Sequence, residues 1–351
     1  MKEFNPDVLV IGGGPAGSTA AGILAGKGIG VLVLERRREI GTPVQCAEYI
    51  AAEVANHTDL KGIISQPVKE MVTHLPNGEE SRGKIGGFTI DRDRFDKRLA
   101  ADAEKKGAEF LLETEAVELD DGTVIAEKGK EIIKVKPTII IGADGPRSIV
   151  STWINQEAGE FIVGLQWTLP LQEELNDNHV FFSPEILGGY GWLFPKGNEA
   201  NAGICIDIRA DKKLHALENF VFDLIERGLV KKKILRKTTG LIPVSGLGKV
   251  RQNNTLLVGD AASLTDPMTG AGIINALKSG ELAANSVSKA IERNDMEILK
   301  EFEKGCETSL SSSLERSSAK RKYLSKFWDS GADELSSAIK KSWFAFPEYY
   351  K

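Results

Sequence analysis

The chain has 351 residues, a net charge of −5 and a hydrophobic content of 41%, as expected for a globular protein with more than one domain. The acidic balance argues against nucleic-acid binding, and the sequence shows neither a signal-peptide pattern nor a run of about 18 apolar residues that would predict a membrane span. Three widely spaced cysteines and four histidines without metal-ligand spacing argue against a disulfide framework and a metal site, so we expect a reducing, cytoplasmic compartment.

The N-terminal segment DVLVIGGGPAGSTAAGILAGKGIGVLVLERR predicts a buried strand, a glycine-rich turn, a helix and a second strand. Gly12, Gly14 and Gly17 form a GxGxxG pattern directly after the first strand. The first glycine permits a tight turn, the second lets the backbone approach a pyrophosphate, and the third lets the helix pack closely on the strand. The second strand, residues 31–34, leads into Glu35, whose carboxylate can accept hydrogen bonds from both ribose hydroxyls. These features together predict a dinucleotide site.

Residues 138–151, TIIIGADGPRSIVS, predict another apolar strand that runs into Asp144 and Gly145. Taken alone, Asp144 fits the turn that ends such a strand. Its place among other glycine-flanked strand ends favours a role at the same dinucleotide site.

The stretch GGYGWLFPKG, residues 188–197, places three aromatic side chains two residues apart. In a strand, Tyr190, Trp192 and Phe194 share one face, and Pro195 follows them. From spacing alone, this face either packs against the neighbouring domain or forms the wall of a binding site.

Residues 255–284 repeat the strand-to-glycine pattern near the other end of the chain. A strand over 255–258 runs into Gly259 and Asp260. A loop with Pro267, Gly270 and Gly272 follows, and apolar residues then recur at helical spacing from Ile273 onward.

Residues 323–351 are enriched in aromatic side chains, and the stretch from Arg316 to Lys326 contains five basic residues and no acid. Basic and aromatic residues together suit contact with a membrane surface. The alternative, which we favour, is that the aromatics pack a helical cap over a substrate domain. The aromatic residues concerned are Tyr323, Phe327, Trp328, Trp343, Phe344, Phe346, Tyr349 and Tyr350.

Taken together, these segments resemble FAD-dependent oxidoreductases of the para-hydroxybenzoate hydroxylase fold. More closely, they resemble the archaeal geranylgeranyl reductase family, over roughly residues 5–295. The resemblance implies FAD as the cofactor. It adds Arg92, in the segment DRDRFDKRLAADAEKKG, as a flavin contact, and the backbone near Val117 as the adenine contact. The cofactor-binding residues are then Gly12, Gly14, Ala16, Gly17, Glu35, Cys46, Ala47, Arg92, Val117, Asp144, Asp260, Pro267, Gly270, Gly272 and Ile273.

The resemblance assigns the second glycine-flanked acid to the flavin. In the family the Gly-Asp pair meets the ribityl chain, which maps onto Asp260. The Pro-x-x-Gly-x-Gly loop covers the isoalloxazine ring, and the helix beginning at Ile273 points at its N1–C2=O edge. A helix N-terminus stabilises negative charge there by about 1 kcal/mol.

PVQCAEY, residues 43–49, resembles the cysteine-containing segment of the family. Cys46 would lie near the flavin as a proton donor, a redox partner or a gate, or else be a small buried hydrophobe. Tyr49 stands where the family usually has glycine, which predicts a narrower or differently shaped pocket mouth. Cys205 and Cys306 are interpreted as structural.

GYGWLFP resembles the Tyr-x-Trp-x-Phe-Pro motif of the same family, whose strand lines the prenyl cavity. The resemblance therefore assigns Tyr190, Trp192, Phe194 and Pro195 to substrate binding. We take Cys46, Tyr190 and Trp192 as catalytic candidates. Protonation of an isolated double bond creates positive charge, which the ring faces of Tyr190 and Trp192 can stabilise.

The predicted fold class is α/β with an α+β insert. A Rossmann-like FAD-binding domain comprises residues 1–60, 90–155 and 245–295. Strand-like runs in 156–244 predict an inserted antiparallel-sheet substrate domain, to which residues 61–89 are also assigned. A C-terminal helical and aromatic segment covers 296–351.

The predicted function is an FAD-dependent reductase that saturates prenyl double bonds of an isoprenoid lipid by hydride transfer. The alternatives are a flavin monooxygenase or halogenase of the same fold, or a flavoprotein that carries electrons to a quinone. The chain lacks a second strand–GxGxxG–helix unit, so the electron donor is an external nicotinamide, deazaflavin or ferredoxin. The expected location is the cytoplasm, with peripheral membrane contact as an open alternative.

Overall fold

The computed structural model describes residues 2–157 and 159–351. The strands are β1 (Lys2–Phe4), β2 (Val8–Ile11), β3 (Val31–Glu35), β4 (Tyr49–Ala51), β5 (Ile64–His74), β6 (Glu80–Ile90), β7 (Glu109–Leu112), β8 (Glu115–Asp120), β9 (Thr123–Lys128), β10 (Glu131–Val135), β11 (Ile139–Gly142), β12 (Phe161–Pro170), β13 (Asn178–Phe181), β14 (Tyr190–Lys196), β15 (Glu199–Asp207), β16 (Arg236–Pro243), β17 (Arg251–Gln252) and β18 (Thr255–Leu257). The α-helices are α1 (Pro15–Ala25), α2 (Arg92–Lys105), α3 (Ile149–Trp153), α4 (Lys213–Glu226), α5 (Ile273–Arg293), α6 (Lys300–Cys306), α7 (Ser312–Leu324) and α8 (Ala332–Ser342).

A six-stranded sheet in the order β17-β18-β11-β2-β3-β7 forms the centre of the predicted Rossmann-like domain. Its strands pair in parallel, except that β17 is antiparallel to β18. Elements packed on the sheet bury β2, β3 and β11 at every residue, which explains why these strands are continuous apolar runs. The sequence prediction of a Rossmann-like domain is confirmed.

A smaller sheet, β1-β10-β9-β8, shares one hydrophobic core with the six-stranded sheet. Val124, Ala126 and Val135 alternate with more exposed neighbours along β9 and β10, as expected for a sheet with one covered face.

The largest sheet has the order β16-β12-β15-β14-β13-β5-β6-β4. Its pairs are antiparallel except for β13 and β5. Most of its strands come from 61–89 and 156–244, the segments that the sequence assigned to substrate binding. One face packs on α4, where Leu193 and Phe220 belong to a shared core, and the opposite face carries the side chains of Trp192 and Phe194.

The C-terminal segment packs as helices against that opposite face. Trp328, Trp343 and Phe346 are at most 7% exposed and belong to the same core as Trp192. Most of the tail aromatics therefore cap the large sheet, whereas Tyr350 is 68% exposed. Among the helices of the described residues, none combines the length and the apolar character needed to cross a membrane.

Candidate active site

A cavity of about 1380 Å³ extends from the glycine-rich turn after β2 to the aromatic strand β14. The carboxyl ends of parallel strands form one end, where α/β proteins bind nucleotides. The face of the large sheet that carries Trp192 forms the other end. All residues that the sequence assigned to the site line this cavity except Gly17, Pro195 and Pro267.

The glycine turn has the geometry that the sequence predicts. Gly12 has a φ of 105°, and a Cβ there would lie 2.3 Å from the carbonyl oxygen of Ala143. A Cβ on Gly14 would meet open space, and α1 begins at the next residue without a side-chain cap. Gly17 serves packing, because its Cβ would lie 2.0 Å from the carbonyl oxygen of Gly12.

Glu35 lies at the end of β3 and is 9% exposed. Its carboxylate accepts hydrogen bonds from the backbone N–H groups of Gly13 (2.9 Å) and Arg37 (2.8 Å). These bonds fix the carboxylate beside the glycine turn, on the wall of the cavity.

Two further acids line the same end of the cavity. Asp144 accepts hydrogen bonds from the hydroxyl of Ser148 (2.6 Å), the N-cap residue of α3, and from the first N–H of that helix, at Ile149 (2.7 Å). Asp260 accepts a bond from the hydroxyl of Thr265 at 2.7 Å. Burial raises the pKa of both carboxyl groups, and the hydrogen bonds oppose that shift.

The loop of residues 266–272, called here the Asp266 loop, is built around a single carboxylate oxygen. Asp266 Oδ1 accepts bonds from the N–H groups of Met268 (3.0 Å) and Thr269 (2.8 Å) and from the Thr269 hydroxyl (2.9 Å). Ser317 of α7 donates to the same oxygen at 2.8 Å. From the large sheet, the Tyr190 hydroxyl donates to the carbonyl oxygen of Thr269. The loop is therefore held from two sides, directly before the N-terminus of α5.

Aromatic side chains from three parts of the chain form one wall of the cavity, called here the aromatic wall. Ring centroids of Tyr190 and Trp192 lie 6.2 Å apart, and those of Trp192 and Phe194 lie 6.4 Å apart. Trp343, from the C-terminal segment, lies 5.1 Å from Tyr190. The wall consists of Tyr49, Tyr190, Trp192, Phe194, Trp343 and Phe344.

Small residues let this wall fit its surroundings. A Cβ on Gly203 would lie 2.4 Å from the Trp192 ring, and a Cβ on Gly191 would lie 2.8 Å from the Phe220 ring on the opposite face. Larger residues at these positions would displace the indole or α4.

Cys46 lies between the two ends of the cavity and is partly exposed. Its sulfur accepts a hydrogen bond from the N–H of Glu48 at 3.2 Å. The side chain of Gln166 links the Cys46 backbone to the aromatic wall. Its amide N–H donates to the Cys46 carbonyl (3.2 Å), and its amide oxygen accepts from the Trp192 indole N–H (3.0 Å).

A buried charge network holds the Cys46 segment against β14. Glu48 has a φ of 68° and is 3% exposed, and both of its oxygens lie 3.0 Å from the Lys196 ammonium. Asn201 donates to the same carboxylate at 3.0 Å, and Lys196 also contacts Asp91 at 2.8 Å. Burial lowers the pKa of Lys196, but the two carboxylates outweigh burial and raise it overall.

Arg92 faces the cavity but is already paired. Its guanidinium forms two bonds to Asp96, at 3.1 and 3.0 Å, within the first turns of α2. Its backbone N–H donates to Glu48 at 3.1 Å.

Several cavity residues escaped the sequence interpretation. Trp343 and Phe344 lie about 150 residues beyond the motif that they complete, and the aromatic enrichment of the tail was their one visible signal. Gln166 lines the cavity but gave no pattern, and neither did Ser317, which holds the Asp266 loop from outside the lining. Cys205, interpreted as structural, is buried on β15 and also lines the cavity, and burial raises its pKa to about 11.

The residues present fit FAD. Two helix N-termini, at Gly14 and Gly272, lack side-chain caps and face one cavity, so their N–H groups remain available to a pyrophosphate and to an anionic ring edge. The open space at Gly14 and the fixed Glu35 carboxylate suit the phosphate and ribose of a dinucleotide.

Comparisons with known proteins agree with this chemistry. Residues 5–167 match the FAD binding domain family, and residues 214–343 match the lycopene cyclase protein family. A digeranylgeranylglycerophospholipid reductase of Thermoplasma volcanium is 37% identical over 82% of this chain and 79% of its own length. A reductase of the same name from Methanocaldococcus jannaschii is 34% identical over 97% of this chain and 93% of its own.

Solved structures give the same picture. A geranylgeranyl bacteriochlorophyll reductase-like protein of Thermoplasma acidophilum superposes with a TM-score of 0.84 at 29% identity, over 97% of both chains. The p-nitrophenol 4-monooxygenase of Pseudomonas putida superposes with a TM-score of 0.76 at 16% identity, over 98% of this chain and 95% of its own, and shares the fold alone.

Proposed function

The chain belongs to the digeranylgeranylglycerophospholipid reductase family, and from this premise we propose that it is an FAD-dependent reductase saturating prenyl double bonds of isoprenoid lipids. FAD, when bound and reduced, supplies the hydride. The observation that carries the proposal is the continuity of one cavity from the dinucleotide turn to the aromatic wall. A flexible apolar chain would lie along this wall beside the N-terminus of α5.

The cofactor contacts are assigned along the cavity. Gly12 and Gly14 bring backbone N–H groups to the pyrophosphate, and Glu35 accepts bonds from the adenosine ribose. Asp260 would hold the ribityl chain, and the uncapped N-terminus of α5 would stabilise negative charge on the flavin ring. Ala16, Ala47, Arg92, Val117 and Asp144 line the same cavity and are assigned as the remaining cofactor contacts.

The aromatic wall has two tasks in the reaction. It excludes water from the reacting double bond, because its side chains form a continuous apolar surface. The ring faces of Tyr190 and Trp192 also stabilise positive charge that develops when the double bond is protonated, by about 0.5–2 kcal/mol each.

Cys46 is assigned as the proton donor. Burial raises the pKa of Tyr190 well above its ordinary value, and its hydroxyl is engaged by Thr269, so this proton is poorly available. Burial likewise raises the pKa of Cys205 to about 11. Cys46 is the partly exposed thiol of the cavity. Cys46→Ala should slow turnover measured at saturating FAD, and unchanged turnover would remove this assignment.

The partners follow from the same assignment. The substrate is an isoprenoid lipid, and electrons arrive from an external nicotinamide, deazaflavin or ferredoxin. We place the protein in the cytoplasm, in peripheral contact with the inner face of the membrane that holds its substrate.

The deciding experiment is anaerobic reoxidation. Dithionite-reduced holoenzyme is mixed with a geranylgeranyl lipid, and flavin absorbance and product mass are followed together. Reoxidation with mass gains in steps of two hydrogens is the expected result. Reoxidation by a quinone but not by the lipid would instead identify an electron carrier. Oxygen-dependent consumption of a nicotinamide with an aromatic substrate would identify a monooxygenase or halogenase.

A further inference from the structure

A short basic segment, KKKILRK at residues 231–237, is exposed at every position. It contains five cations and no acid, in a chain whose net charge is −5. The two aliphatic side chains among the cations, Ile234 and Leu235, are 41% and 40% exposed. Residues 231–237 are called the basic segment below.

The basic segment lies along the edge of the large sheet. Lys231 donates its N–H to the carbonyl of Pro170 at 2.9 Å, and Leu235 donates to that of Thr168 at 2.8 Å. These bonds tie the segment to the end of β12, and its last two residues begin the edge strand β16. Its position is therefore fixed relative to the sheet.

The cavity begins at the next residue of the same strand. Thr238 lines the cavity, and it pairs with Gln166, another lining residue. One position closer to the basic segment, Lys237 pairs with Trp167 and places its ammonium 5.3 Å from that indole ring. The basic segment is thus a continuation of the cavity rim.

Two further basic residues line the cavity near this segment, although one of them, Arg36, lies 3.8 Å from the Glu115 carboxylate. Arg36 and Arg37 line the cavity, and the Arg37 guanidinium donates to Gln45 at 2.6 Å. The same Gln45 side chain donates to the carbonyl of Thr239 at 2.9 Å, which links Arg37 to β16, the strand that continues the basic segment. Within the basic segment, Glu199 offsets the charge of Arg236, at 2.6 Å. The three consecutive lysines at 231–233 keep the segment positively charged.

We propose that the basic segment docks on the anionic surface of a bilayer. Ile234 and Leu235 insert among the headgroups while the surrounding cations contact anionic lipid, so that a prenyl chain enters the cavity without crossing water. The occupant is inferred from the combination of exposed aliphatic side chains, excess positive charge and an adjoining apolar cavity. The inference rests on the proposed function, since that function makes the substrate a membrane lipid.

The test is flotation of the FAD-loaded protein with vesicles of phosphatidylcholine alone or of phosphatidylcholine mixed equally with phosphatidylglycerol. We expect binding to the anionic vesicles that weakens as NaCl rises from about 0.05 to 0.5 M, because salt screens exposed charges. Replacing Lys231, Lys232 and Lys233 together with glutamine should weaken binding about fivefold per lysine, on the order of 100-fold in all.

A second variant separates the apolar contribution from the charge. Ile234→Ser with Leu235→Ser should remove the part of binding that survives high salt. The matched control places the same kinds of change on the four-stranded sheet, as Lys128→Gln, Lys130→Gln and Ile132→Ser, where Ile132 is 39% exposed. The control should bind vesicles like the unchanged protein.

Two results would overturn the proposal. The first is retained vesicle binding in the lysine variant combined with loss of binding when Lys322 and Lys326 of the tail are replaced by glutamine. The second is a lysine variant that still binds vesicles but whose flavin is reduced more slowly by an acidic electron-carrier protein. That result would make the basic segment a protein-docking site. Turnover of detergent-dispersed lipid separates this inference from the proposed function. If the unchanged protein does not turn over dispersed lipid, the reductase proposal is wrong. Vesicle binding of the variants tests separately whether the basic segment docks on a membrane.

Discussion

Removal of one hydroxyl group should loosen the Asp266 loop without disturbing the aromatic wall. Tyr190→Phe keeps the ring, and with it the contacts to Trp192 and Trp343, at centroid distances of 6.2 and 5.1 Å. It removes the bond from the hydroxyl to the carbonyl oxygen of Thr269. The change therefore acts on the link between the large sheet and the loop that precedes α5.

The magnitude follows from the environment of the bond. A typical hydrogen bond contributes about 1 kcal/mol, and a buried acceptor left without its donor costs about 1–3 kcal/mol. Ser317 still holds the loop through Asp266, at 2.8 Å, so we take the lower half of this range. A loss of about 1–2 kcal/mol in the ordered loop corresponds to FAD binding that is roughly 5- to 30-fold weaker.

The assay is titration of the FAD-free protein with FAD, followed by flavin fluorescence, together with the midpoint potential of the bound flavin. Tyr49→Phe is a matched control, because it removes a hydroxyl from the same wall. The Tyr49 hydroxyl donates to the carbonyl of Ile85 on β6, at 3.3 Å, and not to the Asp266 loop. Tyr190→Phe should weaken FAD binding and shift the potential, whereas Tyr49→Phe should change neither.

A cycle with Ser317→Ala tests the mechanism further. Both changes act on one loop, so their effects on FAD affinity should deviate from additivity by at least about 0.5 kcal/mol. Equal FAD affinity in Tyr190→Phe and the unchanged protein would refute the idea that the sheet holds the loop. Strict additivity would mean that the two bonds hold independent parts of it.

Trp192→Leu should lower kcat about 2- to 30-fold while lipid binding persists, because it removes a ring face worth about 0.5–2 kcal/mol; full turnover would contradict this. Lys196→Met should lower the free energy of urea unfolding by about 3–5 kcal/mol, because the buried Glu48 carboxylate loses its partner, and a smaller loss would show that the carboxylate finds water. Burial, and then the charge of His74, lower the pKa of His179 to about 4 from 6.5, so the folded protein binds fewer protons than the unfolded chain below pH 6.5. The contribution of His179 to the free energy of unfolding is therefore fully present above pH 6.5 and is lost as the pH falls towards 4. The free energy of unfolding should drop by about 2 kcal/mol between pH 7 and pH 5. His179→Gln should flatten the unfolding profile over this interval, and an unchanged profile would contradict the assignment.

The sequence predicted the FAD-binding part of the fold well, because the local signals there are strong. Continuous apolar strands, a GxGxxG turn and an acid at a strand end constrain one another, and α5 begins at Ile273 as expected. The period of two also placed Tyr190, Trp192 and Phe194 on one face. Their roles in catalysis remain predictions.

The remainder depended on tertiary contacts that leave no local pattern. Ser317 reaches Asp266 across 51 residues of chain, and nothing in the sequence of α7 marks it. Asp144 was expected at the flavin site, and the structure adds that its carboxylate binds the N-cap residue Ser148 and the first N–H of α3. The basic segment was overlooked because a short polar run between strands is usually just a turn.

The C-terminal contribution to the cavity has a consequence for biosynthesis. The ribosome releases the chain from its N-terminus, and domains generally begin to fold as they emerge. The six-stranded sheet already requires β18, and the aromatic wall requires Trp343 and Phe344, which follow it in the chain. A nascent or truncated polypeptide that ends before Trp343 therefore presents an open, wet cavity. The aromatic wall is therefore completed only after Trp343 and Phe344 have been synthesised, long after the glycine-rich turn that opens the same cavity.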